Sequence, residues 1–154
     1  KLSRELFKSK IISSNFISID GDEFRRNISE DLGYSYRDRK KNAERISRFV
    51  AYLSKKNINI IVSVLSNYPK WLDWNKSNIK SYYQVYLKVD RQKLFSRNKK
   101  KLYLSKKINV VGKDIKFNEP KNNNLTLINT FKTEDIKKFK KLILKTVKKN
   151  DFKK

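Results

Sequence analysis

The sequence predicts an α/β fold built on a parallel sheet, and three observations carry that reading. Ile58 to Val64 is a nearly unbroken run of Ile and Val, the pattern of a strand covered on both faces, as strands in parallel sheets are. Segments of strand and helix character alternate along the chain, which favours α/β over a bundle or a sandwich. A short apolar strand, Phe16 to Ile19, runs into two carboxylates, Asp20 and Asp22, at the strand end where open α/β sheets place their ligands. The 154 residues suffice for a single core, so residues 1–150 are expected to form one domain and 151–154 a frayed tail.

Each element has a local cause. Lys1 to Lys10 carries Leu2, Leu6 and Phe7 at helical spacing and reads as an amphipathic helix. The strand from Phe16 follows, and Gly21 is expected to supply a sharp turn that exposes both carboxylates. After Asp38, read as an N-cap, Ala43, Ile46, Val50 and Leu53 mark a helix to about Lys56. The strand from Ile58 comes next. Pro69 can open a helix at its first turn, with Trp71, Leu72 and Ile79 on its apolar side. Tyr83 to Val89 reads as a third strand, and Asp90 caps a short helix with Leu94 and Phe95. From Arg97 to Lys113 the chain is Lys-rich and aperiodic; a long loop inside a compact domain is commonly functional, and this one is read as a lid. Leu125 to Asn129 is the last strand. Thr133 is expected to cap a final helix with Glu134 and Asp135 in its first turn and Ile136, Phe139, Ile143 and Val147 inward.

Composition narrows the chemistry. The chain has neither Cys nor His, which excludes thiolate and imidazole metal sites, Cys nucleophiles and Ser-His triads. Acid–base chemistry falls to Asp, Glu, Lys or Tyr. Lys and Arg number 39 against 15 acidic residues, a formal +24, a balance that by itself points to polyanions. The excess is spread with Asn and Ile over helix faces, loops and tail alike, as a biased codon composition would produce, so nucleic acid is not an expected partner. No apolar run approaches the roughly 20 residues of a membrane span, and no signal-peptide pattern is visible; a soluble, cytoplasmic protein is expected. The first residue is not Met and no Met occurs, so the natural start is expected upstream.

Asp20 and Asp22 alone would suit an ordinary strand-end turn. Their company changes the reading. Arg25 follows in the next turn, then Asp31-Leu32-Gly33-Tyr34, then Asp38-Arg39-Lys40-Lys41-Asn42, an arrangement suited to a magnesium-bound phosphate meeting a hydroxyl. The order D-G-D-x-x-R, D-L-G-[FY], D-R-x-x-N and then a strand ending in Ser resembles the adenylylsulfate kinase family, P-loop kinases that phosphorylate the ribose 3′-hydroxyl of a sulfonated nucleotide. The resemblance covers roughly Leu2 to Asn129 and is most specific from Ile19 to Asn42.

The resemblance implies a three-layer sandwich with a parallel sheet in the order 2-3-1-4-5. Family members begin with the central strand and a G-x-x-G-x-G-K-[ST] loop, neither of which this chain shows; Lys1-Leu2-Ser3 falls about where the helix after that loop begins. A sheet without its centre would leave two rows of backbone groups unpaired, so the working protein is expected to be longer at its N-terminus.

By resemblance, Asp20 and Asp22 lie beside the acceptor hydroxyl, with magnesium near Asp20. Arg25 and Arg39 match arginines that clamp phosphate and sulfate oxygens, where a planar fork outperforms Lys, and Asn42 matches an Asn that steadies the nucleotide. Tyr34 stands where the family has a Phe that stacks on the base; a ring buried behind the loop is the competing reading. The family's Ile-Ser-Pro-Tyr, whose Ser is phosphorylated in some members, becomes Leu65-Ser66-Asn67-Tyr68, with Leu65 and Ser66 read as substrate contacts, Ser66 ahead of a phosphoserine or a plain strand-end cap. In the lid, K-G-L-Y-K-K-A becomes Lys100 to Lys106, with Lys101 and Lys106 expected to close over the transferred group. Arg97 matches an Arg near the ATP base. F-T-G-[IV]-D becomes Val110 to Asp114, so Val110 replaces the phenyl ring that forms the second wall around adenine.

The expected activity is therefore ATP- and magnesium-dependent 3′-phosphorylation of a nucleotide. The acceptor is adenylylsulfate or, as in similar capsule-biosynthesis kinases, cytidine diphosphoramidate, whose smaller base would suit Val110. The expected partners are ATP and the nucleotide, with no membrane, and a homodimer is left open. A kinase fold that lost catalysis and binds nucleic acid through its charge is the alternative from a different class.

Overall fold

The computed structural model describes residues 1–8, 16–65, 68–97 and 108–149. Their elements run α1 (Leu2–Phe7), β1 (Phe16–Asp20), α2 (Gly21–Ile28), α3 (Tyr36–Lys55), β2 (Asn59–Ser63), α4 (Pro69–Asn78), β3 (Val85–Val89), α5 (Arg91–Arg97), β4 (Leu125–Asn129) and α6 (Thr133–Lys149). The strands form two parallel pairs. Phe16 to Asp20 run beside Asn59 to Ser63 in β1–β2, and Val85 to Val89 beside Leu125 to Asn129 in β3–β4. Parallel pairing needs a crossover between partners, supplied in the first pair by α2 and α3.

Helices cover both faces of the strands. On one side Leu6, Leu127, Phe139, Ile143 and Leu144 form a buried cluster joined by Ile61, Val85 and Leu125. On the other, Ile19, Phe24, Ile46 and Val50 are buried together, with Ile60 and Val62 against them. The period of two along a strand thus sends Ile61 to the α1/α6 layer and its neighbours Ile60 and Val62 to the α3 layer. Full burial of each Ile, Val or Phe contributes about 1.5–3 kcal/mol.

The β1–β2 and β3–β4 pairs do not join each other. Between them lies a cleft of about 1510 Å³ walled by Asn59 to Leu65 on one side and Tyr83 to Leu87 on the other. Every residue of β2 is accordingly only half-buried, although its composition is that of a strand with two covered faces.

Three local expectations are corrected. The N-cap of α3 is Ser35, not Asp38: the Ser35 hydroxyl accepts from the Asp38 amide at 3.1 Å and donates to the Asp38 carboxylate at 2.8 Å, reciprocal capping that places Asp38 inside the first turn. Thr133 is the first residue of α6 rather than its cap, and Asp135 reaches back to accept from the Thr130 amide and hydroxyl at 2.7 and 2.9 Å. Gly21 opens α2 without a left-handed backbone; its need is space, because a Cβ there would lie 2.9 Å from Val64 Cγ1. Asp90 does cap α5, accepting from the Lys93 amide at 3.0 Å, and Pro69 opens α4.

Candidate active site

Asp20 ends β1 and begins α2. Its Oδ1 accepts from the amides of Asp22 at 3.0 Å and Glu23 at 3.2 Å, so the residue is the N-cap of α2, and neither cap bond uses Oδ2. Two acidic residues, Asp22 and Glu23, occupy the first turn of the same helix, where the dipole favours negative charge. Asp20, Gly21 and Asp22 all line the cleft.

One turn further, Arg25 is buried to 8% exposure. Its Nη1 donates to the Gly33 carbonyl at 2.5 Å and lies 3.5 Å from the Leu32 carbonyl. Burial of a guanidinium requires such partners, and here they belong to the loop joining α2 to α3. That loop carries Tyr34, which is 58% exposed. Two guanidiniums lie near its ring, with Arg25 Cζ 5.0 Å and Arg39 Cζ 5.2 Å from its centroid, within cation–π range. The reading of Tyr34 as a ring buried behind its loop is therefore excluded. Gly33 lets the loop pass close to α3, since a Cβ would sit 3.0 Å from the Asp38 carboxylate.

Arg39 works at both ends of its fork. Nε donates to the Tyr34 carbonyl at 3.0 Å and Nη2 to the Asn109 carbonyl at 3.0 Å, tying the α3 start to a segment far along the chain. Asn42, one turn on, is 6% exposed, and its Oδ1 is buried without a hydrogen-bond partner among the described residues. A buried amide oxygen in that state costs free energy unless something in the cleft donates to it.

The cleft brings together Asp20, Asp22, Arg25, Tyr34, Arg39, Asn42 and Leu65, the last 62% exposed. Val110 is not among its lining residues; it is buried, while the adjacent Val111 lines the cleft. Tight local bonding fixes this: the Val110 amide donates to Asp114 at 2.9 Å, its carbonyl accepts from the amides of Lys113, Asp114 and Ile115, and Gly112 turns the chain at φ 89°. Ser66, Lys101, Lys106, the remaining lid residues from Asn98 to Lys107 and the Arg97 side chain lie outside what the structure describes.

Two further residues, Tyr68 and Arg45, receive no role from the sequence. Tyr68 is buried and lines the cleft; its hydroxyl lies 3.4 Å from the Tyr36 carbonyl, to which it donates, and the two rings meet edge to face at 5.6 Å. Burial pushes its phenol up, against the opposing pull of Arg39 and Arg25, so it remains a neutral donor beside two cations. Arg45 grips Asp31 with both ends of its fork, Nη1 to Oδ1 at 2.5 Å and Nη2 to Oδ2 at 2.8 Å. Tyr68 was within reach of the sequence, as the last residue of the Leu65-Ser66-Asn67-Tyr68 motif. No signal in the sequence pairs Asp31 with Arg45, which stands among many basic residues on a helix face.

The comparisons with known proteins settle the family. The family model described as "Adenylylsulphate kinase" matches residues 1–128. The chain belongs to the adenylylsulfate kinase family. One curated relative, the cytidine diphosphoramidate kinase of Campylobacter jejuni, is 35% identical over 117 residues, which are 73% of this chain and 68% of the relative. A probable adenylyl-sulfate kinase of Archaeoglobus fulgidus is 30% identical over 109 residues, 68% of this chain and 70% of that protein. Among solved structures, the Mycobacterium tuberculosis APS kinase CysC in complex with AMPPNP and APS superposes with a TM-score of 0.77 at 23% identity, covering 96% of this chain and 86% of that one. APE1195 does so with a TM-score of 0.81 at 20% identity, covering 96% and 87%. At such identities these structures establish the kinase fold alone, with its parallel α/β sheet. Among the described residues, no helix is long and apolar enough to cross a membrane.

Proposed function

We propose that this protein is an ATP-dependent kinase that phosphorylates the ribose 3′-hydroxyl of a nucleotide whose 5′ tail ends in a sulfate or phosphoramidate group. The observation that carries the reading is the convergence of Asp20, Asp22, Arg25, Tyr34, Arg39 and Asn42 on one cleft. Asp20 accepts or orients the proton of the 3′-hydroxyl, a role that a carboxylate at a strand end can fill once substrate is within hydrogen-bond reach. Arg25 and Arg39 draw the anionic tail, and Tyr34, which stays exposed beside both guanidiniums, offers ring surface to the base. Asn42 Oδ1 has a vacant acceptor for a donor on the nucleotide.

The donor set fits magnesium and ATP in part. Described residues hold no cluster of three or more metal-ligating side chains, whereas Asp20 and Asp22 form a carboxylate pair of the kind that holds magnesium together with substrate phosphates. When bound, the ion would neutralise charge on the transferred group. The cleft also favours a fifth strand between β2 and β3: both walls carry strand backbone, and its flanks carry apolar side chains from both helical layers. A strand there, followed by a phosphate-binding loop, would complete the sheet and supply the ATP side of the site.

A cytidine acceptor is favoured over adenylylsulfate by the relative from Campylobacter jejuni and by Val110, which supplies no aromatic ring at that motif and is buried. The nucleic-acid-binding alternative draws no support from relatives that are kinases by name. The deciding experiment supplies purified full-length protein with magnesium, ATP and either acceptor and follows ADP release. Transfer to the 3′-hydroxyl of one acceptor is expected; protein that neither binds ATP nor phosphorylates either acceptor would overturn the reading.

A further inference from the structure

The loop from Ser29 to Ser35 is the scaffold of the acceptor platform. It offers the carbonyls of Leu32 and Gly33 to Arg25 and the carbonyl of Tyr34 to Arg39, so the direction in which both guanidiniums point depends on where three consecutive carbonyls sit. Within the loop, the Ser29 amide bonds back to Phe24 and the Leu32 amide to Ser29. Those bonds set its curvature, and at its far end Ser35 is tied to Asp38 of α3. The fastening at the outer side is the two-pronged bond from Arg45 to Asp31, on the residue immediately before the first of the three carbonyls. Asp31 does not line the cleft and neither does Arg45, so neither is placed to touch a ligand in it.

We infer that the Asp31–Arg45 pair is a clasp that holds this loop in register with α3 and thereby aims Arg25 and Arg39 at the acceptor, which makes Arg45 a positioning residue for nucleotide binding. The inference rests on the proposed kinase reading for its substrate and on the geometry alone for the clasp. A forked pair suits the task because two parallel bonds fix orientation as well as distance, which a single ammonium contact does not. The pair is solvent-facing, with side-chain exposures of 33% for Arg45 and 58% for Asp31. Exposed ion pairs add little to global stability, so its loss should be felt locally rather than as unfolding.

The test uses full-length protein carrying Asp31→Asn, Arg45→Ala or Arg45→Lys, read in two ways. The first is the Nε–Hε resonance of Arg39, which is shifted and protected while that group donates to the Tyr34 carbonyl. The second is kinetics: KM for the acceptor should rise on the order of tenfold in Asp31→Asn and Arg45→Ala and less in Arg45→Lys, with KM for ATP and the melting temperature nearly unchanged. An Arg39 resonance unaltered in all three variants would overturn the clasp, whatever reaction the protein catalyses. A lost resonance with unchanged acceptor KM, or with acceptor and ATP KM rising together, would overturn the link to substrate. If the parent protein phosphorylates no nucleotide, the proposed function falls, and the resonance still decides the clasp.

Discussion

Asp20 has one observed job and one proposed, and substitution can separate them. As the N-cap of α2 it accepts from two amides through Oδ1; as the proposed acid–base group it needs a negative charge facing the acceptor. Asparagine caps as well as aspartate, so Asp20→Asn should leave the helix start intact and stability within a few tenths of a kcal/mol of the parent, whereas Asp20→Ala abandons both amides and should cost about 1 kcal/mol. For a chain of this size that is a fall of roughly 2–4 °C in melting temperature. Chemistry should respond differently: both variants lose the carboxylate and transfer should drop about 10²-fold or more in each, with ATP affinity retained. Thermal melts and ADP-release kinetics on the same preparations give both readouts. Near-parental turnover in Asp20→Asn would refute the catalytic assignment, and equal melting temperatures for the Asn and Ala variants would refute the cap argument.

Other expectations follow from the same geometry. Arg25→Lys and Arg39→Lys should each weaken acceptor binding on the order of tenfold despite keeping charge, because one ammonium cannot span the separate carbonyls and the ligand; titration calorimetry with the acceptor checks this. Gly21→Ala places a methyl 2.9 Å from Val64 Cγ1 and should cost about 1–3 kcal/mol in a denaturant titration, the usual range for forced overpacking. Val110→Phe should destabilise in the same way, since Val110 is buried, whereas Val111→Phe adds an aromatic face to the cleft and should favour an adenine acceptor, stacking being worth about 1–3 kcal/mol per base. Acid should open the clasp only at low pH. The hydrogen bond from Arg45 holds the Asp31 carboxyl below its ordinary value of 3.8, so its contribution is fully present above that value and is lost as the pH falls through the lower, folded-state value. A carboxyl titration of Asp31 by NMR should give a midpoint below 3.8 in the parent and close to it in Arg45→Ala.

The parts of the fold that were legible in the sequence are those with a local cause. The Ile and Val run became β2, the three-and-four spacing of Ile46 and Val50 became the buried face of α3, and Leu125 to Asn129 matched β4 to the residue. Caps were harder, because Ser35 and Asp38 both cap well and only the reciprocal bond between them decides which lies outside the helix. Within the site, the motifs from Asp20 to Asn42 were readable because they occupy one short stretch. The individual duties were not: Arg25 reads as a ligand for anions, whereas what the structure shows is a guanidinium bracing the loop carbonyls. Val110 illustrates the same limit, since a motif position says nothing about whether a side chain turns inward or toward the cleft.

The bond from Arg39 to the Asn109 carbonyl spans 70 residues, and it bears on the order in which the molecule assembles. The residues proposed to hold the acceptor lie between Asp20 and Tyr68, a stretch that leaves the ribosome before β3 and β4 and closes on itself through the β1–β2 pairing. Loop-closure entropy grows only slowly with length, but distant contacts still form after local ones. A nascent chain can therefore hold a finished platform with Arg39 half-bonded, its Nη2 still turned to water, until the β3–β4 half is made and the turn at Val110 docks. Pulse-labelled hydrogen exchange during refolding would record that sequence as early protection of the α3 amides and late protection near Gly112.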